Sequence, residues 1–158
     1  MPGKGHFLMG IRQHVDEWLA AHGETVIGWR RHFHTHPELS HQERHTTEFI
    51  TTVLREHGMT PTLFPTTGLM VDIGPGVGPR IAFRADLDAL PIEETAPVAF
   101  RSASPGVMHA CGHDVHTAIV LALACALNTY PLTVGLRFIF QPAEEVMEGG
   151  APDVITWG

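Results

Sequence analysis

Thr133-Val134-Gly135-Leu136-Arg137-Phe138-Ile139-Phe140 is the stretch that decides the fold. Its apolar residues stand at adjacent positions, so a strand here would bury both faces, as a central sheet strand does. Only Gly135 and Arg137 interrupt the run from Val134 to Phe140. Just upstream, Asp114 to about Asn128 predicts a helix. It is apolar nearly all round, through Ile119, Val120, Leu121, Leu123 and Leu127, and is therefore expected to be buried; Pro131 separates it from the strand.

Further out, three short β-prone runs cover 60–64, 69–73 and 81–85, with the Gly/Pro turn 74–79 joining the last two. Residues 91–108 contain Pro91, Pro97 and Pro105 and little periodicity, which predicts a loop. Helical spacing runs from about Gly10 to His36, with Gly23 expected to interrupt or end the first helix and His36-Pro37 forcing an exit. Ser40 and Glu43 have capping-box spacing ahead of a helix from about Gln42 to His57, with Gly58 as its C′ residue. Phe49, Val53 and Leu54 would form its core face. Residues 1–8 read as a loose leader. Helices and strands mix along the chain, which implies an α/β layer fold. The expected sheet is mostly parallel, with strand 133–140 central, the helix after Asp114 on one face, and both N-terminal helices covering it as well.

Composition narrows the function. The chain has 158 residues, with 10 Lys plus Arg against 17 Asp plus Glu, a net charge of −7 with His neutral. Binding to nucleic acid wants a basic face, so no nucleic-acid partner is expected. No apolar run approaches the roughly 18 residues of a membrane span, so no membrane partner is expected. Two cysteines, Cys111 and Cys125, make no disulfide framework, which together with the lack of a signal-peptide pattern suggests a cytoplasmic setting. Twelve His outnumber all Lys and Arg, and His is the commonest metal ligand.

Four clusters carry chemistry. In His109-Ala110-Cys111-Gly112-His113-Asp114, the C-x-H pair can aim thiolate and imidazole at one ion, with a helix N-terminus favouring the thiolate. A plain helix cap at Asp114 is the competing reading. In Gln141-Pro142-Ala143-Glu144-Glu145, adjacent carboxylates follow a buried strand and point in different directions. One can hold a metal while the other serves as general base. Arg84-Ala85-Asp86-Leu87-Asp88 closes strand 81–85, where open sheets place ligands, and Asp88 can orient a metal-binding His. A turn stabilised by Asp side chains is the alternative there. Finally, His32 and His36 lie four apart on one helix face, a spacing that can hold a metal. No Glu stands between them in the zincin position, and the segment reads as structural or substrate-lining ahead of metal-binding. Cys111 as a nucleophile with His109 or His113 as base would leave the Glu144-Glu145 pair without a role.

RRHFHTHPELS, RADLDALPIEE, MHACGHDVHTA and FQPAEE, in this order, resemble the co-catalytic metallopeptidase and amidohydrolase family of hippurate hydrolases, N-acyl-amino-acid amidohydrolases and auxin-conjugate hydrolases. The resemblance runs from about residue 24 to 150. It implies a three-layer α/β/α sandwich of the zinc-exopeptidase type. It also implies hydrolysis of the amide bond of a small N-acyl amino acid with two divalent ions, Mn²⁺ or Zn²⁺, with Co²⁺ or Ni²⁺ as other members of the series. Carried over, Cys111, His113 and Glu145 are metal ligands, with Cys111 a candidate bridge between the ions. Glu144 is the general base that activates water and then protonates the leaving amine. Asp88, His109 and Asp86 support the ligands or line the substrate; Asp86 is not carried over as a ligand. The family continues beyond the Glu pair with an inserted domain, through which members often oligomerise, and with further His ligands. The chain is accordingly expected to be a truncated catalytic domain over residues 9–150 with an atypical tail at 151–158. Hydrolysis would then be impaired, with an inactive or weakly metal-binding remnant as the alternative.

Overall fold

The structure, a computed structural model, describes residues 4–158, with side chains from Gly10 onward. Among the described residues, four helices and four strands run in the order α1 (Lys4–Thr35), α2 (Arg44–Glu56), β1 (Thr62–Leu63), β2 (Leu69–Ile73), β3 (Arg80–Asp86), α3 (His113–Asn128), β4 (Gly135–Gln141) and α4 (Ala151–Trp157). The sheet order is β1-β2-β4-β3, so β4 is interior, as its two-sided apolar pattern requires.

The expectation of a mostly parallel sheet is corrected. Only β3 and β4 pair in parallel; β1 with β2 and β2 with β4 are antiparallel. The reason lies in connection length. Parallel neighbours need a crossover of about a dozen residues or more. Residues 87–134, with α3 among them, supply one between β3 and β4, whereas the short segments 64–68 and 74–79 reverse the chain. β4 then inserts between β2 and β3.

One face of the sheet presents Leu69, Val71 and Ile73 of β2 beside Leu136, Phe138 and Phe140 of β4. These join Trp29 and Phe33 of α1, Ile50, Val53 and Leu54 of α2, and Leu121 and Cys125 of α3 in a single core. α3 packs on β3 and β4, and α1 packs across α3. The opposite face is more polar. Asp72 there pairs with Arg137 at 2.8 Å and with Arg80 at 3.2 Å. α4 begins a third layer on this side: Arg137 donates to the Gly158 carbonyl, and Trp157 packs on Phe64 at 5.3 Å between ring centroids.

Several local expectations also change. Residues 4–8, expected as leader, form the first turns of α1, while 1–3 lie outside the described residues. Gly23 does not break α1; a glycine inside a helix costs only about 1 kcal/mol relative to Ala, which packing of the helix offsets. The capping box does not form, because Ser40 and Glu43 are used elsewhere. Glu38 instead accepts the backbone N–H groups of His45 and Thr46 at 3.1 and 2.9 Å, neutralising orphan donors of α2. In the tail, Ala151–Trp157 is helical despite Pro152, which sits in the first turn, where its missing N–H costs nothing.

Candidate metal centre

Parallel pairing sets the site. β3 and β4 end together, with Asp86 opposite Gln141 in register, and α3 begins beyond the same edge. Gly112 precedes α3 in the left-handed conformation, φ 83°, which a residue with a Cβ adopts only at a cost. Asp114 is therefore not the cap; it lies in the first turn of α3. After β4, Ala143 is also left-handed, φ 54°, and fully buried. Glu43 holds it there: its carboxylate accepts the Ala143 N–H at 2.8 Å and the Thr67 hydroxyl at 2.6 Å. Gly68 lets this junction pack closely, since a Cβ would lie 2.5 Å from the Phe140 carbonyl oxygen.

His113, Glu144 and Glu145 converge, their candidate ligand atoms all within 4.8 Å of one another. His113 Nδ1 donates to the Asp88 carbonyl at 2.8 Å, which leaves Nε2 as the free nitrogen. Nε2 stands 3.9 Å from Glu144 Oε2 and 3.9 Å from Glu145 Oε1. These are ion-pair separations, too long for hydrogen bonds. Glu145 Oε1 is buried with no hydrogen bond, whereas the Glu144 side chain is 43% exposed. The Cys111 thiol is exposed and in hydrogen-bonding contact with Glu145; that contact, then burial and nearby carboxylates, pushes its pKa up.

Asp88 fastens the two halves of the site. Its Oδ2 accepts from the Ser40 hydroxyl at 2.7 Å and the Glu145 N–H at 2.8 Å. Burial alone would raise its pKa, but hydrogen bonds from His113, the backbone at 144–145 and Ser40 outweigh that and hold it well below the carboxylate range. The hydrogen bond to Asp88 in turn lifts His113 to about 9, against the opposing effect of burial. Asp86 is raised, mainly by burial, and pairs with Arg84 at 3.1 Å. His109 lies 5% exposed with neither ring nitrogen partnered. Burial lowers it to about 4, opposed by Asp114, so it stays neutral.

The donor set suits a divalent cation. Two carboxylates and an imidazole crowd one edge, the predicted ligand Cys111 lies outside that group though its thiol is beside Glu145, and the buried Glu145 oxygen has no hydrogen bond, only His113 Nε2 at ion-pair distance.

Residues 82–158 match peptidase family M20/M25/M40. The C-terminal half of the chain carries this family's sequence pattern. An N-acyl-L-amino acid amidohydrolase of Geobacillus stearothermophilus is 46% identical over 152 residues, 94% of this chain and 40% of that protein. A Rhodococcus jostii protein bearing a glutamate–cysteine ligase name is 50% identical over 136 residues, 85% of this chain but only 17% of its own. Among solved structures, the Bacillus subtilis YXEP protein, a dinuclear metal-binding peptidase from the M20 family, superposes with a TM-score of 0.82 at 44% identity, covering 88% of this chain and 40% of that one. The chain thus spans well under half the length of these relatives. Of these relatives, the G. stearothermophilus protein is named as an amidohydrolase and the B. subtilis protein as a dinuclear metal-binding peptidase. No helix among the described residues is long and apolar enough to cross a membrane.

The sequence reading missed Glu43, Ser40 and His34. Glu43 and Ser40 have capping-box spacing, which hid their use as tethers for the loop after β4 and for Asp88. Nothing in the spacing of His34 marked it. Its Nδ1 meets Asp114 at 2.7 Å and its Nε2 meets Glu94 at 3.0 Å, tying α1 to α3 and to the loop 91–108.

Proposed function

We propose that this chain carries the general base and part of the ligand set of a two-metal amidohydrolase acting on N-acyl amino acids. The observation that carries the reading is the free His113 Nε2 facing Glu144 and the buried Glu145 oxygen, which has no hydrogen bond, where β3 and β4 end together. His113, Glu145 and Cys111 would hold metal. Asp88 would fix the His113 tautomer through its carbonyl and set Glu145 through the backbone N–H. The ions, when bound, supply Lewis acidity and acidify water. Glu144 is the most exposed carboxylate of the cluster and so the one placed to meet solvent and substrate. It would take the proton of the attacking water on its carboxylate and pass it to the departing amine nitrogen. Asp86 and His109 would act as buried supports beneath these groups. The G. stearothermophilus relative, named for this substrate class, supports the choice of an N-acyl amino acid.

A second reading rests on the donor count. His113, Glu145 and Cys111 are three donors for two ions, whereas a catalytic ion takes about three protein ligands of its own. On that count the chain by itself binds metal and turns over poorly. One experiment covers both readings: purified chain with added Mn²⁺ or Zn²⁺ is assayed on an N-acetyl or N-benzoyl amino acid, beside Glu144→Gln. Turnover that falls about 10²–10⁴-fold in Glu144→Gln with metal content unchanged supports the base assignment. Metal uptake without turnover supports the second reading. No metal uptake, or turnover indifferent to Glu144, overturns the ligand and base assignments respectively.

A further inference from the structure

His32 and His36 stand one turn apart near the C-terminal end of α1, their ring centroids 4.6 Å apart. They border a cavity of about 510 Å³ between α1 and α2, faced also by His45, Glu48, Phe49 and Glu38. None of these residues belongs to the centre at His113. His36 is exposed, and its Nδ1 donates to the His32 carbonyl at 2.9 Å. That bond fixes the proton on Nδ1 and leaves the Nε2 lone pair directed away from the backbone, the arrangement found at metal-ligating histidines. His32 is held flat against Phe49, with centroids 4.2 Å apart and planes 19° from parallel. Burial, then the proximity of His36, lowers its pKa, so it is neutral near pH 7 with a lone pair to give. Glu38 is occupied as the acceptor at the start of α2. His45 and Glu48 are exposed on the far wall.

We propose that His32 and His36 chelate one imidazole-preferring divalent ion, Zn²⁺, Ni²⁺ or Cu²⁺, at a site separate from the centre at His113. Both nitrogens can reach one ion only if they lie within two Zn–N bonds, each about 2.0–2.1 Å, and rings whose centroids are 4.6 Å apart are near enough for that once the exposed His36 ring turns its Nε2 toward His32. The exposed side of His36 leaves the remaining positions to solvent, so the ion exchanges freely and no substrate chemistry is required of it. Cu²⁺ binds such nitrogen donors most tightly of the series, which makes it the probe of choice.

The test uses the full chain with the main centre silenced by Cys111→Ala and Glu145→Gln, titrated with Cu²⁺ and followed by electron paramagnetic resonance. The expected result is one equivalent of Cu²⁺ with nitrogen splitting from two imidazoles, displaced by excess Zn²⁺. His36→Gln should abolish that equivalent. His22→Gln, which removes a histidine with the same Nδ1-to-backbone bond but no imidazole partner one turn away, should retain it. His36 is exposed, so its substitution should leave the melting temperature unchanged and any loss of copper is a loss of ligand. Absence of a two-nitrogen signal in the silenced protein, or its survival in His36→Gln, overturns the proposal. Neither result bears on the centre at His113.

Discussion

Two clusters of acid and imidazole flank the first turn of α3, and they differ in closure. Around Asp114 the groups satisfy each other. Both nitrogens of His34 are engaged, Glu94 accepts from His34 and from the Ser102 N–H at 2.6 Å, and Arg30 Nε lies 2.9 Å from Asp114 Oδ2 as an ion pair; Arg30 Nε and the second Asp114 oxygen are the two buried atoms here, among the described residues, without a hydrogen bond. Around His113, one residue earlier, Nδ1 is engaged by Asp88, through its carbonyl at 2.8 Å and its Oδ1 at 3.5 Å, but Nε2 makes no hydrogen bond. Nε2 faces two carboxylates at 3.9 Å, and buried oxygens of Glu145, Asp88 and Asp86 lack hydrogen bonds. A closed cluster stabilises architecture. An open one stores unpaired negative charge that a cation would relieve. The same residue types at adjacent positions thus divide between structure and chemistry.

The largest expected effect falls on the closed side. Asp114→Ala leaves Arg30 and the buried His34 without their shared acceptor. Breaking a buried pair of this kind costs about 3–5 kcal/mol. Urea unfolding should show that loss, and a loss under about 1 kcal/mol would erase the contrast, since exposed substitutions typically cost about that or less.

Glu145→Gln should behave in the opposite way. In metal-free protein it removes a charge that is repelled by Glu144 and Asp88 and attracted by His113 at 3.9 Å, so stability should change little. What should disappear is stabilisation by metal, worth about 2.7 kcal/mol at a concentration one hundred times Kd. The measurement is the melting temperature with Zn²⁺ and with chelator. If Glu145→Gln destabilises metal-free protein as much as Asp114→Ala does, the open cluster is structural after all.

The two clusters were not equally legible in the sequence. The open one was easier to single out, because Cys111, His113, Glu144 and Glu145 sit in two short segments to which the family resemblance attaches roles. The closed one was harder, because His34, Glu94 and Asp114 come from three separate segments and only tertiary packing joins them. The same division holds for the fold. β2 and β4 were readable from local pattern, since β-prone residues and flanking Gly and Pro bound them. The sheet order was not, because insertion of β4 between β2 and β3 depends on where the chain returns after α3. The parallel expectation failed for a related reason: two-sided burial of β4 reports an interior position, not the direction of its neighbours. Glu43 shows the limit most clearly, since its capping-box spacing was real and its use was a contact to Ala143 one hundred residues away.

Acid titration sharpens the comparison further. Burial would raise the pKa of Glu94, but hydrogen bonds from His34 and Ser102 bring it below its ordinary value; Asp88 is likewise depressed. A group whose folded pKa is depressed stabilises the fold above its unfolded pKa and loses that contribution as pH falls through the folded value. Stability should therefore decline below about pH 4, the ordinary carboxylate range, by at most about 1.4 kcal/mol per pH unit for each group. Asp86, raised mainly by burial, acts in the opposite direction and softens the decline. Asp88→Asn should flatten the profile, measured by urea unfolding between pH 5 and 2.5; an unchanged slope would remove Asp88 from the account.

The smallest effect concerns the two thiols. Cys125 is buried in the core and its pKa is pushed to about 12 by desolvation, so an alkylating reagent should reach it only on unfolding. Cys111 is exposed and should be the site that labels in native protein. Its contact with Glu145 stabilises the protonated thiol, and the thiolate is the reacting form. Replacing Glu145 with Gln removes the negative charge, lowers the thiol pKa and raises the thiolate fraction at pH 7.5. Intrinsic nucleophilicity falls as the pKa falls, with a slope of about 0.4–0.5, so the rate should rise only severalfold. Added Zn²⁺ should suppress labelling in the native chain and much less in Glu145→Gln, because the cation would be held by the very groups that perturb the thiol. Iodoacetamide kinetics followed by mass spectrometry resolve the two cysteines. Slower labelling of Cys111 in Glu145→Gln would show that the carboxylate is not what holds the proton on sulfur, and Zn²⁺ protection that survives the substitution would place the ion elsewhere.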